Sequence, residues 1–169
     1  KFIQTERAQQ ISKKPSSSTS QTVTTFPTKP ISVRFTSSPT HPDDVAVIIG
    51  NADYKKQAKD IPNVTPAYAD AEGIKRYFMK AKGIREGNII YLKDATSAQL
   101  TGVFGNERNH KGQLFNWTKP NVSNVYVYYA GHGAPAGDEG TAYLVPSDAT
   151  SETVDLTGYP LATLYKNLG

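Results

Sequence analysis

The chain has 169 residues, 37% of them hydrophobic and 20% charged, with a formal net charge of +4 and no cysteine. This suits one globular domain plus a tail; no apolar run approaches the ~20 residues of a membrane span, and disulfides and cysteine-based zinc sites are excluded. Six Lys/Arg in residues 1–44 stand against Glu6, Asp43 and Asp44, a net +3 that leaves +1 for the rest, so no basic stripe for nucleic acid is expected on the folded body.

Residues 1–43 read as an N-terminal arm, largely Ser/Thr/Pro-rich. Residues 2–11 suit a short helical turn. Residues 12–42, punctuated by Pro27, Pro30, Pro39 and Pro42, read as an extended linker, because this composition cannot bury enough surface to offset its ordering entropy. Val33 and Phe35 alternate as in a strand, which leaves a short strand added to the sheet edge or wrapped on the body as the other reading.

From Val45 strand and helix alternate. Residues 45–49 form a short all-apolar strand. Thr65 and Pro66 suit an N-cap and first helical position, followed by Ala67, Ala71, Ile74 and Phe78 at helical spacing until Gly83. Residues 88–92 are the second strand. Residues 94–104 carry a helical signature with Leu100, Val103 and Phe104 inward, and after a polar loop Leu114, Phe115 and Trp117 resume packing. In the third strand, from Val125, residues 125, 127 and 129 face one side and residues 126, 128 and 130 the other, both apolar, as in a parallel strand covered on both faces. Pro160 opens a last helix with Leu161, Leu164, Tyr165 and Leu168 on one face and Gly169 as its stop. This βαβαβ order implies an α/β fold with a mostly parallel sheet and helices on both faces.

His132 stands just past the carboxyl end of the third strand, between two glycines, where open α/β sheets bind ligands. It either does chemistry there or only caps the strand end. His41 falls in the linker and His110 in a polar loop, and the three histidines lack the spacing of a shared metal-ligand set.

Tyr128-Tyr-Ala-Gly-His-Gly133 resembles the histidine motif of the caspase superfamily, especially its bacterial and metacaspase-like branches. Val45-Ala-Val-Ile-Ile-Gly-Asn51, Ala69-Asp-Ala71 and Ala142-Tyr-Leu-Val-Pro-Ser-Asp148 resemble further segments of that family. The resemblance covers residues 44–169 and implies the His-bearing, N-terminal portion of a caspase-like three-layer α/β sandwich. The function it implies is cysteine-type endopeptidase action, with peptides or proteins as substrates. A Cys nucleophile would lie about 50 residues after the histidine, near position 180, so it would come from a C-terminal segment or separate chain, and this chain alone is expected to be inactive. The other reading is a non-catalytic caspase-like module for protein interaction or regulation.

By the same resemblance, His132 would shuttle the proton and the Gly133 amide would donate to the oxyanion; Gly133 is otherwise a turn glycine. Asp70, as a partly buried carboxylate, would line the pocket for the residue before the scissile bond and select Arg or Lys, since no Lys or Arg occurs in residues 61–72 to hold an aspartate. Its other reading is complementing the helix macrodipole or simply being solvated. No cofactor is implied, although calcium activates some metacaspases. Asp138, Glu139, Asp148 and Asp155 are candidate carboxylates for it, but without EF-hand spacing they read as solvated loop residues.

Overall fold

The computed structural model describes residues 26–57, 60–136 and 141–169. The helical turn expected at residues 2–11, together with Asp138 and Glu139, lies outside them.

Three strands, β1 (Val45–Gly50), β2 (Ile89–Lys93) and β3 (Val125–Ala130), form a parallel sheet in the order β2-β1-β3. Central β1 is buried at all six residues, which is why its sequence is uninterrupted apolar rather than alternating. It pairs through Ala46↔Ile89 on one side and Val45↔Val125 on the other.

The crossover from β1 to β2 is α1 (Ala67–Ala81), whose Ala71 and Phe78 pack with Ala46 and Ile48 on one face of the sheet. Gly50 permits its close approach, because a Cβ there would come within 2.8 Å of the Ala67 carbonyl oxygen and 2.9 Å of the Ala71 methyl. The second crossover carries α2 (Ser97–Phe104) and α3 (Gln113–Trp117) on the opposite face, where Leu100, Val103, Phe104 and Leu114 meet Val47 and Ile49. The chain is therefore α/β, with a parallel sheet covered on both faces.

Several local expectations change. Thr65 does not cap α1; Pro66 occupies the cap position with helical dihedrals and the start has no side-chain cap. Thr96 is the capping residue of the next helix, in a reciprocal capping box with Gln99, so that helix starts at Ser97 rather than at residue 94. Gly83, at φ 65°, ends the α1 region as expected. Phe115 and Trp117 are exposed, because α3 is one and a half turns long and turns only Leu114 inward. The final helix, α5 (Leu161–Leu168), buries Leu164 but leaves Tyr165 and Leu168 exposed.

After β3 the chain enters a second sheet absent from the sequence reading. Strands β4 (Gly133–Ala136), β5 (Thr141–Leu144) and β6 (Tyr159–Pro160) pair antiparallel in that order, with the short α4 (Val154–Thr157) between β5 and β6.

Much of the described arm is attached to the body. Ile31 approaches Gly73 of α1, Phe35 meets Tyr77 edge-on at 5.3 Å, and Ser38 N–H donates to the Lys80 carbonyl at 2.9 Å. His41 bridges to Ile84, and its N–H donates to the Gly83 carbonyl at 2.9 Å. The linker reading therefore gives way to the wrapped one over residues 31–42: a few apolar contacts and backbone hydrogen bonds on α1 offset the ordering entropy that composition alone leaves uncompensated. Amide exchange at Ser38 and His41 is expected to be slow, and Phe35→Ala is expected to accelerate it by freeing the strap, as measured by hydrogen–deuterium exchange. Unprotected amides at both positions in the native chain would show that the strap does not hold.

Candidate functional site

The segments that follow the carboxyl ends of β1, β2 and β5 are joined by buried polar side chains. Asn51 is fully buried; its Oδ1 accepts the Ala95 N–H at 2.7 Å and its Nδ2 donates to the carbonyls of Ala95 and Val145, each at 3.3 Å. Ser147, equally buried, donates its hydroxyl to the Asp94 carbonyl at 2.6 Å. The Asp94 carboxylate accepts the amides of Ala52 and Asp53 at 2.9 and 3.0 Å and the hydroxyl of Tyr68. Burial opposes the charge on Asp94, but these hydrogen bonds, with that from Tyr68 foremost, outweigh it and hold the carboxyl below its ordinary range.

A depressed folded pKa contributes stability that is present above the unfolded value and is lost as pH falls through the folded one. Unfolding measured from pH 6 downward is therefore expected to show a steep loss below about pH 4, and a shallower one in Asp94→Asn. Identical acid limbs in the two proteins would remove Asp94 as a source of that dependence.

Beneath the histidine loop lies a pair of tyrosines. Tyr54 and Tyr129 place their hydroxyl oxygens 3.2 Å apart, and the Val145 carbonyl lies 3.0 Å from the first and 2.7 Å from the second. The backbone of His132 closes the network: its N–H donates to the Tyr54 oxygen at 2.9 Å, and its carbonyl lies 3.0 Å from the Tyr129 hydroxyl. Burial raises the pKa of both phenols, which keeps them protonated donors. A Cβ at Gly131 would stand 2.7 Å from each hydroxyl oxygen, so this glycine answers a steric demand of the network.

The His132 imidazole lies against the Tyr54 ring, centroids 4.8 Å apart, with Nε2 2.7 Å from the Pro62 carbonyl oxygen. A carbonyl only accepts, so Nε2 carries the hydrogen and Nδ1 of the neutral ring holds a lone pair. Nδ1 has no hydrogen-bond partner among the described residues. Pro62 is fixed by its neighbours: Ile61 is buried, Val64 N–H donates to the Ala52 carbonyl at 3.0 Å, and Asp60 accepts the Ser151 amide at 2.7 Å.

Gly133 is not a turn residue; it opens β4 opposite Leu144. Val145 N–H donates to the His132 carbonyl at 3.0 Å, which makes His132–Val145 a pair of the hydrogen-bonded kind. The next pair along an antiparallel ladder is of the other kind, so the Gly133 N–H points away from β5. His132 and Gly133 both line a cavity of about 470 Å³.

Asp70 lies elsewhere. It is exposed in the first turn of α1, not partly buried, and lines a cavity of about 300 Å³ walled by Ile31, Phe35, Ile74, Tyr77 and Tyr128. Burial first, and then the neighbouring Asp70 charge, raise the Tyr128 pKa. The two cavities share no lining residue.

β3 itself is an edge strand, half-buried along most of its length, with Val125 38% exposed. The expected burial on both faces holds for side-chain direction, with Val127 and Tyr129 toward one core and Tyr126 and Tyr128 toward the other. It is incomplete because no strand pairs with the outer side of β3 among the described residues.

Asp148 is more than a solvated loop residue, for its Oδ1 accepts the Ser97 amide at 2.8 Å at the start of α2. Asp155 lies on α4, and no group of three or more His, Asp or Glu converges on a metal position among the described residues. Nor is any described helix long and apolar enough to cross a membrane.

Neither a model of a known protein family nor a curated protein matches the chain. What is defined is an α/β domain with an oriented histidine at the carboxyl end of an edge strand.

Proposed function

We propose that this chain is the His-bearing portion of a caspase-like cysteine endopeptidase, in which a thiolate from a segment beyond residue 169 attacks a peptide bond. The observation that carries the reading is the orientation of His132: Pro62 engages Nε2–H and leaves Nδ1 as the basic atom, next to an outward-pointing Gly133 amide. A strand added beside β3 would complete the sheet and bring its carboxyl end to the same rim. The motif likeness at residues 128–133 supplies the choice of thiol over hydroxyl.

In this mechanism Nδ1 of His132 accepts the thiol proton and the thiolate attacks the scissile carbonyl carbon. The Gly133 N–H donates to the resulting oxyanion. As the carbon–nitrogen bond breaks, the imidazolium returns its proton to the leaving amine, and water then hydrolyses the thioester with His132 again as base. The Pro62 carbonyl stabilises the imidazolium at both stages. Asp70, at the mouth of an apolar cavity, suits a side chain with an aliphatic stem and a cationic end, hence cleavage after Arg or Lys. Calcium has no assigned ligands in this scheme, since Asp148 and Asp155 do not converge.

The test is hydrolysis by the protein purified from its source together with whatever segment carries the cysteine, using fluorogenic substrates ending in Arg, Lys or Asp and iodoacetamide as thiol block. Iodoacetamide-sensitive cleavage after Arg and Lys is expected, and Asp70→Ala is expected to lower kcat/KM for those substrates by about five-fold, the scale of an exposed ion pair. Cleavage after Asp, or unchanged Arg kinetics in Asp70→Ala, would overturn the Asp70 assignment and leave that of His132 standing. The second reading, a non-catalytic module for protein interaction or regulation, would be supported by the absence of thiol-dependent hydrolysis.

A further inference from the structure

The cavity beside His132 is left without an occupant by the proposed mechanism. Its floor is apolar: Ile61, Val145 and Val154 are 7%, 2% and 7% exposed. Its rim is acidic, with Glu152 and Asp155 both exposed and lining the opening. Asp60 adds a third carboxylate next to that rim, where it accepts both the amide and the hydroxyl of Ser151. No lysine or arginine lines the cavity among the described residues.

We propose that this cavity is the subsite for the substrate residue on the leaving-amine side of the scissile bond, and that it selects Lys or Arg. The inference rests on the protease reading above and deepens it. Position decides the side. The imidazole must reach the leaving nitrogen to protonate it, and the imidazole lines this cavity but not the one at Asp70. A peptide crossing the site therefore places the residue before the bond toward Asp70 and the residue after it against Ile61 and Val154.

Chemistry decides the class. An apolar floor of about three aliphatic side chains accepts the methylene stem of a long side chain, while Glu152 and Asp155 at the mouth meet a cationic end and disfavour a carboxylate. A purely aliphatic occupant would gain the floor and leave the rim charges unused. With Asp70 on the other side, the substrate class is a pair of basic residues flanking the cleaved bond.

Two measurements separate this inference from the reading beneath it. In the first, the 169-residue chain is titrated with lysinamide, norleucinamide and isoglutamine while backbone amide signals are followed by NMR. Lysinamide is expected to shift Gly133, Val145 and Val154 at about ten-fold lower concentration than norleucinamide, with isoglutamine weaker still. In Glu152→Gln/Asp155→Asn the lysinamide advantage is expected to vanish while norleucinamide binding persists, which controls for folding. Equal binding of lysinamide and norleucinamide to the native chain, or shifts confined to other regions, would overturn the proposal.

In the second, the protein purified with its cysteine-bearing segment is offered peptides with Arg before the bond and Lys, norleucine or Glu after it. A preference for Lys of about ten-fold in kcat/KM, lost in the double variant, supports the subsite. Hydrolysis without that preference would overturn the subsite and leave the protease standing. No hydrolysis together with intact lysinamide selectivity would overturn the protease reading, and with it the leaving-side role, while the charge selectivity of the cavity remains.

Discussion

Replacing His132 with alanine is expected to lower peptide hydrolysis by about 10³-fold or more while leaving the fold in place. The asymmetry follows from how the residue is held. Its three backbone contacts, the N–H to Tyr54 and the carbonyl facing both Val145 N–H and the Tyr129 hydroxyl, do not involve the ring. The substitution removes one side-chain hydrogen bond, to Pro62, and the contact with the Tyr54 ring, a stability cost of about 1 kcal/mol. The chemical loss is larger because a thiol without a paired base is only slightly ionised at neutral pH, and the departing amine loses its proton donor. Steady-state kcat/KM and a thermal melt of the same preparation check both halves. Activity within ten-fold of the native protein would remove His132 from the mechanism, and a collapse of the melt would make it structural.

The layout of the parallel sheet was legible because its signals are local and repeated. An uninterrupted apolar run at residues 45–49, a helical repeat through Ala67, Ala71, Ile74 and Phe78, and two apolar or aromatic faces at residues 125–130 each point to one arrangement, and the described elements have it. The second sheet was not legible. Its strands are two to four residues long and include Pro135 and Pro160, so neither periodicity nor β propensity accumulates over enough residues to register. The strap at residues 31–42 was legible only as the second reading, for a related reason: its attachment relies on backbone carbonyls and a few side chains, which composition does not weigh.

At the site, the sequence singled out His132 and Gly133 through their strand-end position and motif, and they line one cavity. Tyr54, Pro62 and Asp94 had no comparable signal, and Tyr129 and Val145 stood within quoted motifs without a role. Pro62 and Val145 act through main-chain carbonyls, a role open to any residue type, and Tyr54 reaches His132 across 78 positions of sequence. The one trace of this network is Gly131, whose small size reflects the two hydroxyls packed against it. Asp70 was placed correctly on its helix, but its exposure depends on how the arm and Tyr128 lie around it, which no local pattern encodes.

The largest expected loss of stability is for Asn51→Leu, at about 3–4 kcal/mol. Asn51 is fully buried at the end of β1 and makes three hydrogen bonds that tie the segment after β2 to the one after β5. The two carbonyls to which it donates have other partners: Ala95 O accepts Ser147 N–H at 2.8 Å, and Val145 O is within reach of both tyrosine hydroxyls. The Ala95 N–H has no such alternative, so leucine strands one buried donor, at about 1–3 kcal/mol, beyond the loss of the bonds themselves. Asn51→Asp separates the two effects. It keeps an acceptor for Ala95 N–H but sets a buried carboxyl against two carbonyl oxygens, which raises its folded pKa. A raised folded pKa favours the fold at low pH and is lost as pH rises, so the deficit of Asn51→Asp is expected to grow from about pH 4 toward neutrality, whereas that of Asn51→Leu stays nearly constant. Chemical denaturation across that range reads both. Because Val145 supports the tyrosine pair that seats His132, a milder loss of stability in Asn51→Leu with an unchanged His132 NMR environment would show that the Asn51 bridge does not position the site.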